Sequence, residues 1–443
     1  MKPVVNGEVA VVGLARTGRA ITRWLAQNDY VVYASDCAQG DELHRTAEAL
    51  SQLDGVTAEV GRHDMTRLAA AALVVASPGV PPDAEPLRAA RNAGVPIQAE
   101  LDVAAQVLDA VDLAVVTGTN GKTTTAVLAH LIVDAAGLDV ALAGNIGAPL
   151  IDVALEDRPP RWAIVEASSF QLHDCHELTP AIGAVTSLSP DHLDRYASVD
   201  AYYEDKRRLF RNSDESSCWI LPHGDSGVTR LAEGALGDRL TFGTTPEADA
   251  YFDGRQLFLG SDVLIERAGF QLLGDHNVMN ALAASLIASR IGVSGEQIAA
   301  ALCTARPLPN RLEVIGNQLG KTWINDSKAT NVASTKVAIA AMHTTYALLL
   351  GGKHKGEPYT SLGDVIDRNR CQGVFAFGEA APFVAEDLAE LGVATVDDLA
   401  SAVRAAAGTT ADTVLLSPAC SSFDQFDNYE HRGRVFRSFV KDL

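Results

Sequence analysis

Short apolar runs recur along the chain, and stretches with helical spacing separate them. Near the N-terminus, Val9 to Val12 and Tyr30 to Ala34 are strand-like and flank a helix predicted from about Arg19 to Gln27. A third run, Ala72 to Ser77, ends in the turn SPGVPP. Alternating strands and helices are typical of a mostly parallel sheet covered on both faces. The pattern therefore predicts an α/β fold that begins with a Rossmann-like, doubly wound domain.

The alternation continues after a helix-like segment near residue 102, AELDVAAQVLDA. The next predicted strands are Leu113 to Thr117, Val140 to Leu142, Trp162 to Ala167 and Ile182 to Ser187. From about Cys218 to Gln271 the chain is richer in short strands and turns, which suggests an antiparallel extension of the sheet. The segment NVMNALAASLIASRIG reads as a helix with Leu282, Leu286 and Ile287 on one face.

A turn-like segment, RPLPNR at Arg306 to Arg311, marks the next predicted linker. Three apolar runs follow it, TYALLLGG, GVFAFG and DTVLLSPA, and helical stretches separate them. We therefore predict three α/β domains: residues 1–102, a central P-loop-type domain at 103–307 with a mostly parallel sheet, and a second Rossmann-like domain at 308–443.

The most informative stretch is LAVVTGTNGKTTT, which reads as a buried strand, a glycine-rich turn and a helix. Such a turn presents backbone N–H groups and a helix N-terminus to an anion, with a lysine for a terminal phosphate and a threonine for magnesium. The strict pattern needs glycine where Val116 stands, so we read a shortened variant built on Gly118 and Gly121. The turn predicts a nucleoside triphosphate site, and the alternative is a turn that only connects strand and helix. The predicted nucleotide contacts are Gly118, Thr119, Asn120, Gly121, Lys122, Thr123 and Thr124.

A second glycine turn, GLARTG, follows the first strand, and Asp36 ends the second strand about twenty residues later, as in a dinucleotide-binding unit. Ala15 occupies the place of the second glycine, which normally lets the backbone approach a pyrophosphate. Two readings stay open: a nucleotide-sugar or dinucleotide site, or a turn without a ligand.

Composition narrows the classes of partner. The 36 basic and 56 acidic residues give a net charge of −20, which opposes binding to nucleic acid and to anionic membranes. No apolar run reaches the ~18 residues that span a bilayer, and no leader precedes the first strand, so we expect a cytoplasmic protein. Six widely spaced cysteines suggest neither a disulfide framework nor a zinc site.

Metal ligands are expected beside a bound triphosphate, near the ends of the following strands. Glu166 ends WAIVE, and Asp191 with His192 lies in SPDHLDRY. Each residue taken singly fits a helix cap or a surface ion pair. Their order on successive strands after the phosphate-binding turn favours a metal site.

Ten motifs in order resemble the Mur ligase family over almost the whole chain, from about Val9 to Gly433. They are TGTNGKTT, GNIG, EASSFQL, DHLDRY, YYEDKRRLF, GDHNVMNALAA, NRLEVI, NDSKATN, GGKHKG and SPACSSFDQF. The resemblance implies an ATP- and Mg²⁺-dependent ligase that phosphorylates UDP-N-acetylmuramoyl-L-alanine and joins D-glutamate to the acyl phosphate, in peptidoglycan synthesis. It implies a UDP-binding N-terminal domain, a central ATP-binding domain and a C-terminal domain that binds the amino acid, in a chain expected to be a monomer.

The family pattern also implies roles for individual residues. Thr123, Glu166, His192 and Lys206 would serve the metals, with Lys206 carbamylated, and Lys122 would stabilise the transferring phosphoryl group. Asn277, Arg311 and Asp326 would hold the adenosine and phosphates. The substrate contacts would be Thr17, Asp36, Cys37, Ser77, Asn145, Lys328, Thr330, Lys355, Ser422, Phe423 and Tyr429.

Three alternatives stay open at this point. The chain could add another amino acid or L-glutamate, or it could be a binding module that keeps the phosphate-binding turn without turnover. An oxidoreductase that uses the first glycine turn is disfavoured by Ala15 and by the nucleotide motifs downstream.

Overall fold

The computed structural model describes residues 6–192 and 195–443. Over these residues the chain forms three β-sheets and divides into two compact units. The first unit holds the residues up to 266 together with 279–302, and the second holds 267–278 and 303–443. The α/β fold class is confirmed, because the sheets are mostly parallel and alternate with helices.

The first sheet is parallel throughout, in the order β3-β2-β1-β4-β5. Its strands are β1 Val9–Val12, β2 Val32–Asp36, β3 Val56–Val60, β4 Leu73–Ala76 and β5 Ile97–Ala99. Its helices are α1 Arg16–Gln27, α2 Asp41–Leu50, α3 Met65–Ala70 and α4 Glu85–Asn92, and α5 Glu100–Val107 leads to the next sheet.

Three details of the first sheet differ from the sequence prediction. Helix α1 begins at Arg16 rather than Arg19, because Ala15 precedes it without a side-chain cap that the sequence could reveal. Strand β2 begins at Val32 rather than Tyr30, since the Tyr30 N–H still closes the end of α1 on Leu25 O. The prediction also missed β3, which is only partly buried, and β5, which has three residues.

The second sheet has nine strands in the order β14-β13-β12-β11-β10-β9-β6-β8-β7. The strands are β6 Asp112–Thr117, β7 Val140–Gly144, β8 Trp162–Glu166, β9 Ile182–Val185, β10 Cys218–Pro222, β11 Asp238–Gly243, β12 Ala250–Phe252, β13 Gln256–Leu259 and β14 Asp262–Glu266. The helices are α6 Lys122–Ala135, α7 Leu150–Val153, α8 Ser169–Leu172, α9 Val199–Arg207, α10 Ser226–Leu231, α11 Asp275–Ile291 and α12 Gly295–Thr304.

The predicted antiparallel extension is correct only at the edge of this sheet. Strands β10, β11 and β12 continue the parallel order from β9, and antiparallel pairing begins at β13. Short strands alone do not reveal their direction, which the connecting helix α10 and the following turns decide.

The third sheet has the order β15-β16-β20-β17-β18-β19. Its strands are β15 Glu313–Gln318, β16 Lys321–Asn325, β17 Tyr346–Gly351, β18 Cys371–Phe377, β19 Ala394–Val396 and β20 Thr413–Leu416. The helices are α13 Val332–Ala340, α14 Ala381–Asp387, α15 Leu399–Ala407 and α16 Tyr429–Lys441. The three predicted apolar runs are β17, β18 and β20, whereas the antiparallel pair β15 and β16 was not predicted.

Burial on both faces explains why the parallel strands read as continuous apolar runs. In β17, Leu348 and Leu350 point into one core and Ala347 and Leu349 into the other. In the first unit, one hydrophobic core cluster continues from the first sheet to the second. No described helix, in residues 6–192 or 195–443, is both long and apolar enough to cross a membrane.

Candidate active site

The turn after β6 is held in a shape that only glycine allows. Gly118 has φ 140° and Gly121 has φ 86°, and a Cβ at these positions would collide with Thr186 Oγ1 and Asn280 Oδ1 respectively. Helix α6 begins directly after Gly121, which gives it no side-chain cap. The first N–H groups of α6 therefore point out of the turn, in the arrangement that binds anions.

Two lysine side chains meet at one carbonyl of this turn. Lys122 Nζ donates to Gly118 O at 2.9 Å and to Thr119 O at 2.8 Å, and Lys206 Nζ donates to the same Gly118 O at 2.8 Å. Lys206 is fully buried on α9. Burial, and secondly the charge of Lys122, lower the pKa of Lys206 well below its ordinary value. The environment of Lys206 thus favours an uncharged amine.

An aromatic cluster surrounds Lys206 and His192. Lys206 Nζ lies 4.6 Å from the centre of the Tyr202 ring, and the Tyr202 hydroxyl donates to Thr119 Oγ1 at 3.3 Å. The His192 ring lies 6.0 Å from that of Tyr202 and 4.8 Å from that of Phe170. Tyr202 was not predicted, although its position one helical turn before Lys206 indicates that the two side chains lie together.

Glu166 ends β8 beside the phosphate-binding turn. It pairs in register with Val116 of β6, and its side chain is only 2% exposed. Asn145 Nδ2 donates to Glu166 Oε1 at 2.9 Å, and the Asn145 N–H donates to Glu166 O at 2.8 Å. The strand ends of the second sheet therefore bring the turn, Glu166 and Asn145 to one edge.

No three His, Cys, Asp or Glu side chains gather into a metal-binding cluster among residues 6–192 and 195–443.

Side chains from neighbouring strands of the first sheet form hydrogen bonds with the turn after β1. Asp36 Oδ2 accepts the Leu14 N–H at 2.8 Å and Oδ1 accepts the Ala38 N–H at 2.9 Å. Ser77 Oγ donates to Gly13 O at 2.9 Å. Asp36 and Ser77 thus hold this turn in shape, while Thr17 is half-buried and Cys37 exposed beside it.

The SPGVPP turn after β4 accepts hydrogen bonds from the segment between β9 and α9. Arg195 donates to Pro78 O and Val80 O, each at 2.8 Å, and its guanidinium stacks on Phe170 at 3.9 Å. A cavity of about 100 Å³ lies between these groups, and Ser77 is part of its lining.

The remaining predicted residues lie in the second unit. The Asn277 side chain donates to Leu273 O at 2.7 Å at the start of α11. Asp326 follows β16, accepts from Ser417 Oγ at 2.9 Å and from the Leu312 N–H at 3.2 Å, and has a pKa raised to about 7 by burial. The Asp326 carboxylate therefore fixes the segment that carries Arg311.

Arg432 of α16 joins three loops of the third sheet. Its guanidinium donates to Ser327 Oγ at 3.0 Å and to four backbone carbonyls, those of Ser327, Gly351, Cys420 and Ser421. These loops contain the predicted substrate contacts Lys328, Thr330, Lys355, Ser422 and Phe423. Arg432 was not predicted. The signal for it is a charged residue within the stripe of buried positions that continues at Phe436 and Val440.

Within those loops the predicted contacts differ in environment. Lys328 Nζ lies 3.8 Å from the centre of the Tyr429 ring, a cation–π contact. Ser422 is buried, Thr330 is half-buried, Lys355 is exposed and Phe423 is 66% exposed. The Lys353 N–H donates to Ser421 O at 2.9 Å, so the loop that carries Lys355 is attached to the loop that carries Ser422.

Comparison with known proteins identifies the class to which this fold and site belong. The sequence model of the Mur ligase middle domain matches residues 116–288, and that of the Mur ligase MurD-like N-terminal domain matches residues 7–99. The chain belongs to the Mur ligase family, whose members are ATP-dependent ligases.

Two relatives match almost end to end. A UDP-N-acetylmuramoylalanine–D-glutamate ligase from Koribacter versatilis is 36% identical and covers 98% of this chain and 97% of its own length. The ligase of the same name from Anaeromyxobacter dehalogenans is 37% identical and covers 99% of both chains.

Solved structures support the fold. A UDP-N-acetylmuramate–alanine ligase from Thermotoga maritima superposes with a TM-score of 0.63 over 99% of this chain and 100% of its own, at 18% identity. A MurF ligase from the same organism, solved in complex with ADP, superposes with a TM-score of 0.63 over 93% of this chain and 95% of its own, at 16% identity.

Proposed function

We propose that this chain joins D-glutamate to the alanine carboxylate of UDP-N-acetylmuramoyl-L-alanine, with ATP as the energy source, in peptidoglycan precursor synthesis. The name shared by the relatives that match end to end supports this substrate pair. The observation that carries the proposal is the meeting of Lys122 and Lys206 at Gly118 O beside the turn that precedes α6. We expect the chain to act as a cytoplasmic monomer with a UDP-binding domain at 1–102, an ATP-binding domain at 103–307 and a glutamate-binding domain at 308–443.

The residues at this edge fit Mg²⁺, which prefers oxygen ligands and usually binds one or two carboxylates together with substrate phosphates. Glu166 supplies a buried carboxylate that Asn145 orients, and Thr123 lies in the first turn of α6. His192 faces the same aromatic cluster as Lys206. Mg²⁺ at these residues would neutralise the repulsion between the triphosphate and the substrate carboxylate.

Lys206 fits this site once it is carbamylated. The uncharged amine that its burial favours attacks CO₂, so an N–C bond forms and one proton leaves to solvent. The product is an anionic carbamate beside the Lys122 ammonium, and the two form an ion pair. Carbamylation therefore replaces an uncharged amine by an anionic oxygen ligand in one step.

Few protein groups take part in the two chemical steps, phosphoryl transfer and amide formation. The alanine carboxylate attacks the γ-phosphorus and ADP leaves, while Lys122 stabilises charge on the transferring phosphoryl group. The glutamate nitrogen next attacks the acyl carbon, phosphate leaves and the nitrogen loses a proton. Asn277, Arg311 and Asp326 hold the nucleotide in this proposal.

The glutamate and the uridine diphosphate are assigned to different loops. Lys328, Thr330, Lys355, Ser422, Phe423 and Tyr429 hold the glutamate carboxylates, and Arg432 fixes the loops that carry them. Thr17, Asp36, Cys37 and Ser77 hold the uridine diphosphate, with Asp36 and Ser77 acting also through the turn that they stabilise. Asn145 contacts the muramoyl-alanine part.

One assay tests the proposal against its alternatives. The protein is incubated with Mg-ATP, UDP-N-acetylmuramoyl-L-alanine and D-glutamate, L-glutamate or another amino acid, and phosphate release and product mass are measured. We expect stoichiometric phosphate and amide with D-glutamate. Turnover only with a different amino acid would reassign the substrate, and no phosphate with any amino acid would indicate a binding module.

A further inference from the structure

The side chain of Arg16 reaches from the turn after β1 to the GNIG turn after β7. Its guanidinium donates to Gly147 O at 2.7 Å, to Gly144 O at 3.2 Å and to Asn145 O at 3.3 Å. One planar guanidinium thus binds three carbonyls of a single four-residue turn. Such a fork of donors fixes orientation in a way that a single ammonium does not.

The opposite side of the GNIG turn holds Glu166. Both the side chain and the backbone N–H of Asn145 donate to Glu166. A Cβ at Gly144 would collide with Glu166 O, so the turn lies directly against the strand end that carries the carboxylate. Any displacement of the turn therefore moves the Asn145 amide relative to Glu166.

The chain after the GNIG turn has an anchor of its own. Glu100 Oε1 accepts the Ile151 N–H at 2.7 Å at the start of α7, and Glu100 is only 2% exposed. The turn is thus held before Gly144 by β7 and after Ala148 by α7. The carbonyls between these anchors are the ones that Arg16 binds.

We propose that Arg16 is a positioning residue that holds the GNIG turn and, through Asn145, orients the Glu166 carboxylate. The next residue, Thr17, is one of the uridine diphosphate contacts of the proposed function, on which this inference rests. The turn that receives the nucleotide end of the substrate is thereby linked to the carboxylate assigned to the metal. A link between two binding sites is reciprocal, so the UDP substrate and the metal change each other's affinity by the same factor.

The test compares Arg16→Met with Arg16→Lys, and with Arg19→Met as the matched control one turn further along α1. Binding is measured without turnover, by electron paramagnetic resonance of Mn²⁺ with ADP present and by calorimetric titration with UDP-N-acetylmuramoyl-L-alanine. We expect Arg16→Met to weaken Mn²⁺ binding roughly 10-fold, in the range found when partners of metal ligands are removed. Arg16→Lys should lose less, and Arg19→Met should match the wild type.

A double-mutant cycle separates positioning from general loss of structure. If Arg16 acts through Asn145, the double variant Arg16→Met/Asn145→Ala binds Mn²⁺ no more weakly than Asn145→Ala alone. Additive losses, or unchanged Mn²⁺ binding in folded Arg16→Met, would overturn the proposal. Thermal unfolding of each variant identifies any that fails to fold, and Arg16→Lys then carries the test.

A failure of the proposed function can be distinguished from a failure of the inference about Arg16. A wild-type protein that forms no amide with D-glutamate would refute the assigned reaction, whereas the Mn²⁺ titrations would still decide the role of Arg16. Loss of amide formation in Arg16→Met with unchanged binding of both ligands would contradict the inference alone.

Discussion

Two strand–turn–helix segments with glycine turns, one after β1 and one after β6, differ in the groups that contact the turn. In the first, Asp36 and Ser77 of neighbouring strands occupy the Leu14 N–H and the Gly13 carbonyl. In the second, one carbonyl accepts hydrogen bonds from two lysine side chains, and the helix N-terminus has no side-chain cap. The same local fold therefore gives a turn held by side chains of its own sheet in one place and a turn contacted by two lysines in the other.

The largest difference is expected from Lys206, which has no counterpart at the first turn. Lys206→Ala should lower kcat roughly 10³-fold, similar to the loss of one group that stabilises the charge of a transition state. A short-chain carboxylate such as formate or acetate should restore part of the activity by filling the vacated volume with an anion. Arg207→Ala, the exposed neighbour, is the control. A Lys206→Ala variant as active as the wild type would refute the role of Lys206.

Glu100 is the first residue of α5, which leads from the first sheet to the second, and burial raises its pKa to about 7. In the unfolded chain this carboxyl has an ordinary pKa, so the folded state binds the extra proton between about pH 4.5 and pH 7. The contribution of Glu100 to the free energy of unfolding should therefore fall over that interval by about 3 kcal/mol and then stay level, at 1.36 kcal/mol per pKa unit. In urea unfolding, the difference in free energy between the wild type and Glu100→Gln should change by this amount between about pH 4.5 and pH 7, and parallel profiles of the two proteins would contradict the assignment.

Asp36 tests the structural character of the first turn. Asp36→Ala removes the acceptor of the Leu14 and Ala38 N–H groups, so the turn loses its shape beside the predicted uridine diphosphate contacts. We expect the KM for the UDP substrate to rise about 10-fold, which is about 1.4 kcal/mol, while the KM for ATP stays the same. Asp41→Ala, an exposed carboxylate at the start of α2, should leave both values unchanged. Equal increases for both substrates would mean that the two turns are not independent.

The smallest effect is expected at Ala15, which occupies the place of a glycine in dinucleotide-binding turns. Ala15 has φ −67°, which any residue adopts, and it is exposed. Ala15→Gly should change the KM for the UDP substrate less than about twofold, since glycine is also tolerated before a helix. A large gain in affinity for the UDP substrate would indicate that a pyrophosphate approaches the backbone here.

The same contrast shows what sequence can predict. The phosphate-binding turn and the strand that carries Glu166 were predictable, because glycine, lysine and apolar runs act over a few residues. The partners of Arg16 and Arg432 were not, since both side chains bind carbonyls, which every residue carries and no residue type identifies. The strands β3, β5, β15 and β16 were missed for a related reason, because none has a strong apolar pattern: β3 and β15 are half-exposed, β5 has three residues, and β16 begins with Lys321 and Thr322.

The state of Lys206 in solution is the decisive quantity for this account. Wild-type protein equilibrated with ¹³C-bicarbonate should show a carbamate carbon signal by NMR that is absent from Lys206→Ala, and activity should decline as CO₂ is removed and return when it is restored. Full activity in wild-type protein whose Lys206 carries no carbamate at saturating bicarbonate would contradict the account.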